Sequence, residues 1–177
     1  MSVLTENESI QLVYTEKEDI SFVVKAEQEK ENAKYICQWS AEQHINAIDD
    51  GDILHLIVKN AEGSSVGYAI IKGMANPNNS IELMRIVITE KGFGYGQDVL
   101  SLIKKWCFEE RKAHRLWLDV QEDNRRAQHV YKTLGFRREG ILRECMKAGG
   151  VYKSLVVMSI LAHEYRGRIG NEEHESI

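Results

Sequence analysis

Proline is nearly absent: Pro77 is the only one, and no Pro/Gly/Ser-rich stretch divides the chain, so nothing marks a linker and a single domain is expected. Cysteine is sparse too. Cys37, Cys107 and Cys145 are odd in number and scattered, which excludes a disulfide framework and gives no zinc-ligand spacing. The six histidines lie 11 or more residues apart, so no metal is expected. No apolar run approaches the ~20 residues of a membrane helix. The opening "MSVLTENESI" has neither a basic region nor an apolar core. The chain is therefore read as soluble and cytoplasmic, without a membrane partner. A formal net charge of −4 supplies no electrostatic footprint for nucleic acid, though a mildly acidic surface favours a cationic substrate.

What is present is a globular balance, 43% hydrophobic and 28% charged, in 177 residues. A short strand is expected near Ile10 to Tyr14, then a helix over Glu18 to Gln28 with Ile20, Val23 and Val24 on one face. Ser40 followed by Gln43 has the spacing of a capping box and opens a second short helix. The period then changes. "DILHLIVKN", "SSVGYAIIKGM" and "IELMRIVIT" are β-branched runs separated by turn residues, an antiparallel meander. A helix over Gly94 to Glu110 follows, then the strand "HRLWLDV" and a helix over Asn124 to Leu134 closed by Gly135. "FRREGILREC" and "YKSLVVMSILA" form a closing hairpin, whose exposed edge permits a homodimer. The order β-α-α-β-β-β-α-β-α-β-β is that of an α/β (α+β) domain over residues 1–165, with a polar tail over 166–177. The strands flanking the central glycine loop should be parallel, as in any βαβ crossover.

That loop, "KGFGYGQ", holds Gly92, Gly94 and Gly96 at the start of an amphipathic helix. A helix N-terminus carries unpaired N–H groups and the positive end of the helix dipole, so a glycine turn leading into it suits phosphate. It is neither of two familiar phosphate loops. A P-loop needs Lys and then Ser or Thr after its last glycine, where Gln97 and Asp98 stand, and a Rossmann fingerprint starting at Gly92 needs glycine at Gln97. An ordinary tight turn remains the alternative on the loop alone.

Lys91, Gly94 and Gly96, read as basic-x-x-Gly-x-Gly after the strand "IELMRIVI", resemble the acetyl-coenzyme A loop of the GNAT superfamily of N-acetyltransferases. Arg or Gln usually stands where Lys91 does. Asn124, Ala127, Tyr131, Gly135 and Phe136 match the family's second half in order and element type. The ending "EGILREC…GGVYKSLVVMSILAHEY" is similar to the RimJ/RimL-like branch of ribosomal-protein and polyamine acetyltransferases. The resemblance covers roughly Ile53 to Tyr165 and implies a mixed, mostly antiparallel sheet flanked by helices. It further implies acetyl transfer from acetyl-CoA to a primary amine in a ternary complex, with no metal. A coenzyme A-binding sensor or scaffold without turnover is the alternative, and a nucleotide-binding protein a third.

The resemblance implies roles residue by residue. Met84 and Ile86 align the pantetheine arm through their backbone, and Lys91, Gly92, Phe93, Gly94, Tyr95, Gly96 and Gln97 hold the pyrophosphate. Asn124 hydrogen-bonds the pantetheine arm or caps its helix. Tyr131 protonates the departing thiolate, or else is core on its helix's apolar stripe. Glu82 is the candidate general base, with a solvent-facing charge or a pair with Arg85 as its ordinary role. His55 is a second conceivable base; Tyr152 and Glu144 are candidates for the acceptor pocket. Trp106 and Trp117 read as core.

Overall fold

The computed structural model describes residues 2–175, with side-chain surroundings through residue 169. Strands β1 (Val3–Glu6) and β2 (Ile10–Tyr14) lead into helices α1 (Ile20–Gln28), α2 (Lys30–Ala33) and α3 (Ala41–Ile48). Strands β3 (Ile53–Asn60), β4 (Ser65–Lys72) and β5 (Ser80–Ile88) follow, then α4 (Tyr95–Lys105) and β6 (Arg115–Gln121). The chain closes with α5 (Arg125–Thr133), β7 (Arg137–Ala148), β8 (Val151–Leu161) and α6 (Ala162–Glu175). It is a mixed α/β fold. The sheet runs β1-β2-β3-β4-β5-β6-β8-β7, and every pair is antiparallel except β5 with β6.

Both faces of the sheet are covered, which is why β3 and β4 read as nearly continuous apolar runs rather than clean alternations. On one face Leu56, Val58, Ala69 and Ile71 pack with Val99, Leu100, Ile103 and Trp106. On the other, Ile57, Tyr68, Ile70 and Val87 meet Val23 and Ala26 of α1. Burying one such aliphatic side chain contributes about 2 kcal/mol. Ser40 and Gln43 form the reciprocal capping box that starts α3. α4 ends in a π-helical turn over Trp106–Glu110, in which Arg111 N–H donates to Trp106 O at 2.9 Å.

Three expectations change. The segment from Arg166, read as a polar tail, continues as α6 to Glu175; residues 176 and 177 of that reading lie outside the described residues. β1 and α2, at four residues each, are too short to show a period in sequence. Trp106 is core, but Trp117 is only partly buried, because it shares a face with Arg115 and not with Leu116 and Leu118; the Arg115 guanidinium lies 5.5 Å from its ring.

Candidate active site

β5 and β6 stay paired only over Ser80–Glu82 against Arg115–Trp117. A bulge then interrupts β5, since Ile70 and Ile71 of β4 oppose Arg85 and Leu83. Bulges bend a strand and raise its twist, and here β5 departs from β6, which continues along β8 instead. The facing edges beyond Glu82 and Trp117 therefore carry backbone donors and acceptors that no strand satisfies. Such groups need another partner.

A cleft of about 510 Å³ lies at this opening, a size suited to a small-molecule ligand. Ile86, Lys91, Gly92, Gly94, Tyr95, Gly96, Gln97, Asn124 and Tyr131 all line it. Met84 and Phe93 do not; Met84 packs toward α1, and Phe93 is exposed, stacked on Tyr95 at 5.5 Å. Gly92 and Gly94 have φ of 88° and 81°, left-handed values that a side chain strains. Gly96 needs no such φ, and a Cβ there would come no closer than 3.9 Å, to Ile88. Nothing in the protein itself therefore requires glycine at Gly96. Among the described residues no side chain caps α4, and the amides of Phe93, Gly94, Tyr95 and Gly96 find no acceptor. An open glycine surface over free amides fits a pyrophosphate group.

Three cations reach the same cleft: Lys91, Lys34 from the turn after α2, and Arg126 from the first turn of α5. Lys91 Nζ donates to Asn32 Oδ1 at 2.8 Å and to Ile88 O, tying the loop to α2. Burial pushes the Lys91 ammonium below its usual range, with Arg126 adding to that and Glu29 opposing it. Asn124 caps α5, its Oδ1 accepting from Ala127 N–H at 3.2 Å, and it lines the cleft as well. The capping role is the one observed, and it leaves Nδ2 without a hydrogen bond among the described residues.

Tyr131 lies edge-on to Phe136, 5.9 Å between centroids, and keeps part of its surface on the cleft. Burial, then the charge of Asp119, pushes its phenol up to about 12. Asp119 is itself raised by burial. Glu82 is raised by burial and, next, by Asp119. Glu82 does not line the cleft; it borders a separate cavity of about 330 Å³ with Asp52, Lys72 and Trp117. Asp119 is the group felt by both Tyr131 and Glu82. Nothing in the sequence marks it, because "LWLDV" reads as a strand with its polar residue turned outward.

Arg85 does not pair with Glu82. Its Nη1 donates to Glu27 Oε1 of α1 at 2.5 Å, and Glu27 is buried. Tyr68 Oη also donates to Oε1, and Trp39 N–H to Oε2 at 2.8 Å. Burial alone would raise the Glu27 carboxyl; hydrogen bonds and the Arg85 charge outweigh it and hold the group at about 2. His44 Nε2 lies 3.3 Å from the same oxygen without forming a well-aligned hydrogen bond. His55 sits between Thr15 Oγ1 at 2.8 Å and His44 Nδ1 at 3.0 Å, and burial holds it near pKa 3. It is structural, not a base on the cleft. Tyr152 and Glu144 are exposed on the closing hairpin, away from the cleft lining.

An opening between parallel strands beside a glycine-led helix suits a ligand with phosphate at one end and groups along its length that pair with strand backbone. The chain belongs to the Acetyltransferase (GNAT) family, whose model matches residues 12–136, spanning the splayed strands, the glycine loop and Tyr131. It is an N-acetyltransferase, with acetyl-coenzyme A as donor. It is 25% identical over 167 residues to the spermidine N(1)-acetyltransferase of Escherichia coli K12, covering 89% of this chain and 88% of that one. It is 26% identical to the spermidine N(1)-acetyltransferase of Vibrio cholerae over 122 residues, 68% of this chain and 70% of the other. The fold superposes on the Vibrio cholerae enzyme solved with CoA and spermine at TM-score 0.80 and 23% identity, covering 90% and 99% of the two chains.

Among the described residues no set of three His, Cys, Asp or Glu is placed to hold a metal ion. No described helix is long and apolar enough to cross a membrane.

Proposed function

We propose that this chain acetylates a primary amine of a small polycation, a polyamine of the spermidine class, in a ternary complex, in keeping with the RimJ/RimL-like branch. The observation that carries the reading is the cleft at the opening of β5 from β6, which brings the free amides of the glycine loop together with Tyr131, while the charge of Asp119 acts on both Tyr131 and Glu82. Two carboxylates beside the splay suit an acceptor that arrives as an ammonium, and relatives that share 88% and 70% of their length with this chain are spermidine acetyltransferases.

Acetyl-coenzyme A supplies a thioester carbonyl for the amine to attack. The free amides of residues 93–96, with Lys91 and Arg126, hold its phosphates, and the open edge of β5 around Met84 and Ile86 aligns its pantetheine arm. Asn124 Nδ2 adds a donor to that arm. An alkyl ammonium has a pKa near ~10.4 and must lose a proton before it attacks. Asp119 accepts that proton, directly or through water, and Glu82 holds the acceptor's charge or shares the base role. The phenol of Tyr131, protonated throughout the working range, then gives its proton to the departing sulfur.

The protein is read as one cytoplasmic acetyltransferase domain over 1–165 with residues 166–177 appended. β7, at one end of the sheet, offers an edge for self-association. Mixing protein, acetyl-CoA and an amine panel and following free thiol tests the assignment. Transfer to spermidine and spermine in preference to monoamines is expected. Coenzyme A binding with no transfer to any amine would leave a sensor module instead.

A further inference from the structure

We propose that Arg85 is the positioning residue for the amine-facing wall of the site, residues 34–40. This rests on the acetyltransferase reading above. Arg85 stands at the bulge where β5 departs from β6, a position where a strand facing α1 would ordinarily hold an apolar residue. Its guanidinium makes three contacts at once. Nη1 meets Glu27, Nη2 donates to Cys37 O at 2.8 Å, and the planar face lies 4.6 Å from the centre of the Trp39 ring. Glu27 completes the ring of contacts by accepting from Trp39 N–H. The two ends of the segment that supplies Lys34, Tyr35 and Ile36 to the cleft are thus held separately: Cys37 and Trp39 through Arg85 on β5, and Asn32 through Lys91 of the glycine loop.

The geometry divides the labour. The phosphate-holding loop and α4 lie on one face of the sheet, and residues 34–40 close over the splay from the face of α1 and α3. The donor's phosphates therefore do not depend on Arg85, whereas the space left for the acceptor does. A fork with three simultaneous contacts is needed, and an ammonium cannot supply it. Glu27 and the residues behind it, Tyr68, His44 and His55, are buried and fix the carboxylate so that Arg85 has one place to point. Such a network specifies a conformation more than it adds stability.

Arg85→Lys keeps the charge and loses the fork; Trp39→Leu, on a partly exposed residue, keeps the ion pair and loses the stacking face. Both are read in the full chain with acetyl-CoA and spermidine. Arg85→Lys should raise the KM for the amine about tenfold, the effect of one charge-assisted hydrogen bond, and Trp39→Leu about threefold. The dissociation constant for coenzyme A and kcat should stay within about twofold of wild type. Amide hydrogen exchange over residues 34–40 should accelerate in both variants, with the remaining amides unchanged. Unaltered amine KM and unaltered exchange over 34–40 would overturn the proposal. So would acceleration spread over the whole chain with equal loss of coenzyme A and amine affinity, the mark of a merely structural residue. If the wild type transfers to no amine, the acceptor reading fails, and exchange confined to 34–40 or spread evenly still decides the role of Arg85.

Discussion

Substituting Gly96 by Ala should make the protein more stable and the coenzyme bind worse. Gly96 lies in the first turn of α4 without a positive φ, and the nearest atom to an added Cβ is 3.9 Å away, an ordinary contact. Alanine there removes the backbone entropy that glycine loses on folding, a gain of about 0.5 kcal/mol, or roughly 1–2 °C in melting temperature for a chain of this size. The same methyl stands over the amides assigned to pyrophosphate. Losing one or two of those hydrogen bonds should weaken coenzyme A about tenfold. Gly94→Ala is the control with the opposite sign of stability: its φ of 81° costs a side chain about 1–2 kcal/mol, so melting temperature and affinity should fall together. Thermal unfolding without ligand and calorimetric titration with coenzyme A read the two quantities separately. A stabilised Gly96→Ala variant that binds coenzyme A as tightly as wild type would refute the assignment of these amides.

Tyr131→Phe should lower kcat by roughly 10- to 100-fold at unchanged coenzyme A affinity, and wild-type turnover would leave it as packing against Phe136. Because burial raises Asp119 and Glu82, and both act ionised, the acidic limb of kcat/KM should lie above the ordinary carboxylate range; Asp119→Asn should cut kcat/KM about 100-fold and move that limb, and an unmoved limb at full rate excludes it as the base. Glu27 works on stability instead. Its folded pKa of about 2 is below its ordinary 4.5, so its contribution is complete above 4.5 and is lost as pH falls toward 2. Urea unfolding over that window should show about 3 kcal/mol of lost stability from this group; a flat profile would mean that Glu27 is not held ionised.

Much of this architecture is legible in the chain. Strands buried on both faces write themselves as apolar runs, and a capping box is a two-residue signature, so β3, β4, β5 and the start of α3 are visible directly. The glycine loop and Asn124 to Phe136 are visible for a similar reason, since backbone conformation and helix ends constrain residue type at fixed spacing. Glu27 is not. It sits in "KAEQEKEN", where a buried carboxylate and a solvated one look alike, and its partner Arg85 is 58 positions away. Lys34 and Arg126 are hidden likewise among other surface charges, and converge on the cleft only through topology. Nor does the splay have a pattern of its own, because pairing between β5 and β6 is a property of two segments and the period of each is unchanged by it.

The short pairing of β5 with β6 also bears on how the molecule assembles. β3, β4 and β5 join as consecutive antiparallel neighbours through short turns, so this part of the sheet can form by local zippering as the chain emerges, with β1 and β2 adding to it. The second half, β6 with β8 and β7, zips separately. Three residue pairs stitch the two halves of the sheet, and this stitch closes only after a whole helix has been placed between them. Folding should therefore end with the joining of two preformed halves, and a ligand lying across the seam would act as a clasp, raising resistance to unfolding in proportion to the logarithm of its concentration.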